Sequence, residues 1–174
     1  VLGPQHPRSR GLAYDKKLLP MHRLDAPMTV LVRLIYASKV AAHFGPMDMH
    51  DILDKSRRNN IEHGISGLLI LADGYFFQAL EGDRAAVHAT YARILKDSRH
   101  TGSVMLSSLE IEKRQFSGWS MGYVLSSEKN KPLFMSYSSN KYFAPLELRA
   151  AAAESLLAEI GAHARHLGGT ETAT

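Results

Sequence analysis

Residues 65–80 read ISGLLILADGYFFQAL. Two runs rich in aliphatic and aromatic residues flank Asp73-Gly74, a strong hairpin signal because both central positions of a type I′ turn need positive φ. The stretch predicts two antiparallel strands, over 65–71 and 75–80. On the second, the period of two puts Phe76, Gln78 and Leu80 on one face.

Working outward, a helix is expected over 48–60, after the chain break at Gly45-Pro46. Its Met49, Ile52, Leu53, Ser56 and Asn60 recur at spacings of three and four along one face. A β-rich run over 30–36 precedes it, with Val30, Val32, Leu34 and Tyr36 sharing a face. Downstream, Asp83 is placed to cap a second helix that runs to about Ser98 and presents Val87, Tyr91, Ile94 and Leu95. Strands follow over 103–112 and 120–125, then a polar loop around 128–131. A last helix starts near Pro145 and ends before Gly168-Gly169. Its stripe of Ala153, Leu156, Leu157, Ile160 and Ala164 must bury a face, on the sheet or on another subunit.

The order β-α-β-β-α-β-β-α places the chain in the α+β class, as a ferredoxin-like β-α-β-β-α-β-β mixed sheet with two helices on one face and a C-terminal helical extension. The other face stays open unless the C-terminal segment covers it. Three parts are expected: a flexible and possibly non-native leader over 1–27, a domain over 28–126, and a C-terminal cap, helix and tail over 127–174.

At 45% hydrophobic residues the chain can build one core, and no apolar run reaches the roughly 20 residues of a membrane span. The absence of cysteine excludes disulfides and thiolate chemistry and suits a cytoplasmic location. The net charge of +4 has an address: the leader holds five cations against two anions, leaving +1 on the rest. A basic tail on a nearly neutral domain points only weakly to a polyanion partner.

Three polar residues break the apolar pattern. Asn60 continues the buried stripe of the first helix, Gln78 sits between Phe76 and Leu80 on its strand face, and Tyr36 ends the first strand. Alone, Asn60 reads as a helix cap and Tyr36 as a half-buried aromatic. A buried amide without partners costs ~1–3 kcal/mol, so Asn60 and Gln78 need hydrogen bonds from the fold or from a ligand.

Together with their neighbours these residues carry a resemblance. LIYAS (34–38), RRNNIEHGISGLL (57–69), FFQALEG (76–82), ARILKDSRH (92–100) and FSGWSM (116–121) occur in the order and spacing of the BLUF family, bacterial-type blue-light sensors using FAD, and the chain resembles its short stand-alone members. The resemblance implies a non-enzymatic photoreceptor with FAD as chromophore, for which FMN or riboflavin could substitute. It implies that Tyr36 and Gln78 form the photoactive pair. Ile52 and Ile94 would sandwich the ring, with Asn59, Asn60, Phe76, Arg93, Asp97 and His100 as further cofactor contacts. Trp119 and Met121 would relay the signal from one face of the fifth strand. Arg93 and Asp97 also stand at i,i+4 and could form a surface ion pair.

Two other functions compete. A ferredoxin-like sheet with Tyr75, Phe76 and Phe77 on a central strand is similar to RNA-binding RRM domains, which stack bases on such aromatics. A flavin oxidoreductase is the other, although no general acid stands out and His63, His88 and His100 lack metal-ligand spacing. A downstream partner protein and self-association are expected; membrane and nucleic-acid partners are not.

Overall fold

In a computed structural model of the chain, residues 29–139 and 141–166 are described, without the side chains of 164–166. The expected leader lies outside them, as does the side chain of Ala164. The hairpin is built as its sequence dictates: β2 (Ser66–Ala72) and β3 (Tyr75–Asp83) pair antiparallel across Asp73 and Gly74, with φ of 47° and 78°. The Asp73 carboxylate also accepts the Phe143 N–H at 2.7 Å, tying the turn to the C-terminal segment.

β1 (Leu31–Val40) lies antiparallel to β3 on one side and to β4 (His100–Glu110) on the other, while β5 (Gly122–Leu125) runs parallel to β2. The strand order β4-β1-β3-β2-β5 is the ferredoxin-like arrangement with an added edge strand. Helix α1 (Pro46–Glu62) begins with Pro46 behind Gly45, whose N–H bonds the Asp48 carboxylate at 2.9 Å. Helix α2 (Arg84–Ile94) is capped by Asp83, which accepts from the N–H groups of Ala85 and Ala86. Such a cap stabilises a helix by about 1 kcal/mol.

Each face of the sheet is covered. Val32, Leu34, Tyr36, Leu69, Phe76 and Leu80 pack under Met49 and Leu53 of α1 and Val87 and Tyr91 of α2. On the opposite face Ile35, Leu68, Ile70 and Phe77 pack against helix α3 (Lys131–Ser136), through Phe134, and helix α4 (Ala150–His166), through Ala153, Leu156, Leu157 and Ile160. The C-terminal segment therefore covers the second face, and the last helix buries its stripe on its own sheet. Full burial of one leucine contributes about 1.5–3 kcal/mol. Phe77 is completely buried, with its ring 6.0 Å from Phe143. The aromatic platform that an RRM-like reading requires is thus closed.

Several boundaries differ from the sequence reading. The second helix ends at Ile94, not Ser98, because the next turn tightens to i→i−3 bonds and the Asp97 carboxylate accepts the Arg99 N–H, turning the chain into β4 three residues earlier than the strand expected from residue 103. The fourth strand accordingly starts at His100. The fifth starts at Gly122, not at residue 120, since the Ser120 and Met121 carbonyls accept from α1 side chains instead of a ladder. The supposed loop around 128–131 leads into α3, and Pro145 opens a 3₁₀ turn, Pro145–Glu147, ahead of α4.

Candidate functional site

Between α1 and α2, above β1 and β3, lies a cleft of about 180 Å³. Ile52 of α1 and Ile94 of α2 supply apolar walls. Tyr36, Phe76 and Gln78 of the sheet line it, with Asn59, Arg93, Asp97 and His100 around them. Eight of the nine anticipated cofactor contacts thus line one space. Asn60 does not. It is buried, and its amide donates to the Ser120 carbonyl at 2.6 Å. Nor is it a cap, because the helix runs on to Glu62 and His63 takes the C-cap position.

The sheet places Tyr36 opposite Gln78 in the β1–β3 register. Both are 3% exposed, and the Tyr36 hydroxyl donates a short hydrogen bond to Gln78 Oε1. Burial pushes the phenol well above the usual tyrosine range, and the nearby Tyr91 and Asp97 add to the shift. Tyr36 is therefore held as a neutral donor. The Gln78 amide nitrogen donates to the Met121 sulfur at 3.3 Å. One amide spans a phenol and a thioether, using an acceptor on one side and a donor on the other.

Met121 and Trp119 do not share a face. Met121 is buried with the cleft-side cluster, whereas Trp119 packs with the opposite one and stacks on Phe116 at 5.8 Å. Both precede the regular strand, so the period of two on which the shared face was argued does not hold between them. Their backbone is pinned: Gly67 N–H donates to the Trp119 carbonyl at 3.1 Å, Asn60 to Ser120, and Arg57 Nε to Met121 at 3.3 Å.

At the mouth, Asp97 pairs with Arg99 and not with Arg93, whose guanidinium donates to the Thr90 hydroxyl at 2.9 Å. Arg99 also reaches Asp51 of α1 at 2.6 Å, bracing the end of α2 against α1. Its hydrogen bonds hold the Asp97 carboxyl below the ordinary range, against partial burial. Arg99, Lys55, Ser56 and Leu69 line the cleft and were not anticipated. Lys55 and Ser56 stand just before the RRNN stretch, Ser56 on the stripe of α1, and Arg99 lies inside DSRH, where the i,i+4 spacing of Arg93 and Asp97 offers Asp97 a different partner.

His100 Nε2 lies 2.8 Å from the Ile94 carbonyl, which can only accept, so that nitrogen carries a proton. The other nitrogen, Nδ1, is buried without a hydrogen-bond partner among the described residues. An orphaned polar atom in a ring that lines an aliphatic slot suits a ligand with a flat apolar body and a polar edge. A larger concavity of about 470 Å³, beside the β2–β3 turn, contains neither the tyrosine–glutamine pair nor His100.

Comparison with known proteins gives the family. The family model for "Sensors of blue-light using FAD" (BLUF) matches residues 31–122, more than half of the chain. A photoactivated adenylate cyclase subunit beta from Euglena gracilis is 32% identical over 121 residues, 66% of this chain but 14% of that protein. The chain thus spans a small part of the curated relatives it matches. The structure titled "BlsA photo-activated state" is 34% identical with a TM-score of 0.69, covering 75% of this chain and 94% of that one. The dark-state structure of BlrB, described as a BLUF protein, is 28% identical with a TM-score of 0.67, covering 78% and 98%. The chain belongs to the BLUF family, the sensors of blue light using FAD.

Proposed function

We propose that this chain senses blue light through Tyr36 and Gln78, with FAD bound in the cleft between α1 and α2. The observation that carries the reading is the buried Tyr36–Gln78–Met121 chain of contacts along the cleft floor. Ile52 and Ile94 would hold the ring faces, Gln78 and the free His100 Nδ1 its polar edge, and Asn59, Arg93 and Arg99 the outer parts. At about 180 Å³ the cleft is smaller than the roughly 300–1,000 Å³ of sites that enclose a drug-sized ligand, which suits the ring system with its tail outside. FMN or riboflavin would then substitute for FAD.

When bound, the flavin supplies blue-light absorption and, once excited, a strong one-electron oxidant. Tyr36 is the donor. As a neutral phenol it keeps its proton in the dark, and loss of an electron makes that proton strongly acidic. The Gln78 carbonyl oxygen, already bonded to the hydroxyl, is the first acceptor. Once the electron and a proton return to Tyr36, Gln78 would be left rotated or tautomerised, with its contacts to Tyr36 and Met121 exchanged. Displacement of Met121 alters the 116–121 segment and, through it, the fit of the C-terminal cap (127–174) on the sensor unit (28–126).

This work is sensing without substrate turnover, with the output delivered to a partner protein or a second copy of the chain, consistent with a cytoplasmic setting. The test is an absorption spectrum of purified protein before and after blue illumination. A reversible small red shift is expected. A colourless protein that takes up no added flavin would overturn the reading.

A further inference from the structure

On the sheet face away from the cleft, one guanidinium meets two carboxylates from different elements. Glu81 of β3 is fully buried; its Oε1 accepts from Arg33 Nε at 2.8 Å and is ion-paired with Nη2 at 2.6 Å. It also accepts the backbone N–H of Phe116 at 2.9 Å and of Gln115 at 3.2 Å. Arg33 Nη1 reaches Glu154 of α4 at 2.9 Å, and the other Glu154 oxygen accepts from the Ser107 hydroxyl at 2.8 Å. Apolar side chains would fill this space with no desolvation cost, so a buried ion cluster is weak evidence for a purely stabilising role.

The same guanidinium lies 5.9 Å from the centre of the Phe116 ring. Phe116 stacks on Trp119, and Met121, two residues further, receives the Gln78 amide. An unbroken series of contacts therefore crosses the sheet from Gln78 to α4. The series has a weak link that can be identified. The Glu81 side chain is 0% exposed and takes three hydrogen bonds besides the Nη2 ion pair, whereas that of Glu154 is 19% exposed. If the 115–121 segment moves, Glu81 follows the backbone N–H groups it accepts from, and the rigid fork of Arg33 cannot stay aligned with both acids. Water can replace the guanidinium at Glu154 but not at Glu81, so the contact to α4 yields.

We propose that Arg33 is a positioning residue through which the docking of α4 follows the state of the Gln78–Met121 contact. The inference rests on the reading of Tyr36 and Gln78 as the light-driven pair. It makes Glu154 the releasable tether and α4 the element that light loosens.

The test is hydrogen–deuterium exchange of the full, flavin-loaded chain, dark and lit, in wild type, Glu154→Gln and Arg33→Lys. In wild type, illumination should speed exchange across 150–163 by roughly 2- to 30-fold, the span of such couplings. In Glu154→Gln the absorption shift should persist while the lit and dark exchange of α4 become equal. Arg33→Lys keeps a charge for Glu81 but lacks the fork, so it should also lose the difference while α4 stays docked in the dark. A full lit–dark difference in both variants overturns the role of Arg33 and leaves the photochemical reading standing. Absence of the absorption shift in wild type overturns both.

Discussion

Tyr36 and Gln78 are cross-strand partners, facing each other across β1 and β3 and joined from phenol to amide. Directly opposed residues hold their Cβ atoms ~4.5–5.5 Å apart, so the ladder itself brings the two side chains together. A slip of one residue would send either side chain to the α4 face of the sheet. The geometry of the pair is thus fixed by the core packing on both faces, not by loops, and the helices have only to roof it.

Tyr36→Phe keeps the ring and removes the donor. It should abolish the light-induced red shift while flavin stays bound, as read from difference spectra. It also leaves Gln78 Oε1 buried without that donor, at about 1–3 kcal/mol of stability. Gln78→Leu should likewise bind flavin and show no shift; a shift that survives in it unchanged would refute the role given to Gln78.

Met121→Leu nearly conserves volume, so its packing cost should stay below ~1.5 kcal/mol. It does remove the sulfur that receives the Gln78 amide. Losing a contact of about 0.5–1 kcal/mol that supports the orientation seen here raises the energy of that orientation relative to the switched one. The red shift should remain, and thermal return to the dark spectrum should slow by roughly 2- to 5-fold. An unchanged return rate would show that the sulfur has no part in the switch.

How much of this was legible beforehand depended on whether a local period governed the residue. The hairpin and the strand faces of Tyr36 and Gln78 follow from the Asp73-Gly74 turn and strand alternation, which the structure keeps intact, whereas their pairing is implied only by the family resemblance. Alternation places Trp119 and Met121 on one face, but it fails in a segment whose carbonyls are held by Gly67, Asn60 and Arg57. Those donors come from distant parts of the chain. Arg99 is illegible locally for a related reason, since its partner Asp51 lies 48 residues away and no local spacing announces it. Glu81 lies just past the strand expected over 75–80, and its burial depends on contacts from Arg33, Gln115 and Phe116 that no local spacing announces.

Arg99→Met keeps the aliphatic stem and removes the charge that joins Asp97 to Asp51. Both pairs are part-exposed, so each contributes only about 0.2–1 kcal/mol. Flavin should bind roughly 3- to 10-fold more weakly, measured by fluorescence titration of the freed cofactor. The sign with pH follows from Asp97. Its carboxyl is held below the usual value, so the support is complete above about pH 4 and is lost as pH falls through the depressed value. Flavin retention in wild type should therefore be level from neutrality to about pH 5 and drop only in stronger acid. An equal acid profile in Arg99→Met would sink this account.

At the alkaline end the sign reverses. Tyr36 in the folded chain titrates far above the ordinary phenol range, while in the unfolded chain it titrates near pH 10. Its contribution is complete below about pH 10 and declines as pH rises, because only the unfolded chain then gains by ionising. The limiting slope is ~1.4 kcal/mol per pH unit. Urea midpoints from pH 9 to 11 should fall more steeply in wild type than in Tyr36→Phe, a comparison that cancels the other tyrosines. Parallel curves would mean that the phenol is not held in its neutral form.

Gly67→Ala tests the support beneath Met121. A Cβ at this position would lie 2.4 Å from the Ala79 carbonyl oxygen and 3.4 Å from the Met121 methyl. The first clash is with backbone of the neighbouring strand, which cannot turn aside as a side chain could. β2 must therefore shift away from β3, and the Gly67 N–H that holds the Trp119 carbonyl shifts with it. Overpacking of this kind costs about 1–3 kcal/mol, visible as a lower urea midpoint with an unchanged slope. Because the displaced strand also carries the pinned segment, the lit–dark spectral difference should shrink along with stability. Gly118→Ala, where a Cβ would meet nothing within 4 Å, is the control and should change neither. If Gly67→Ala lowered the midpoint but left the photoresponse whole, Met121 would be held in place without Gly67.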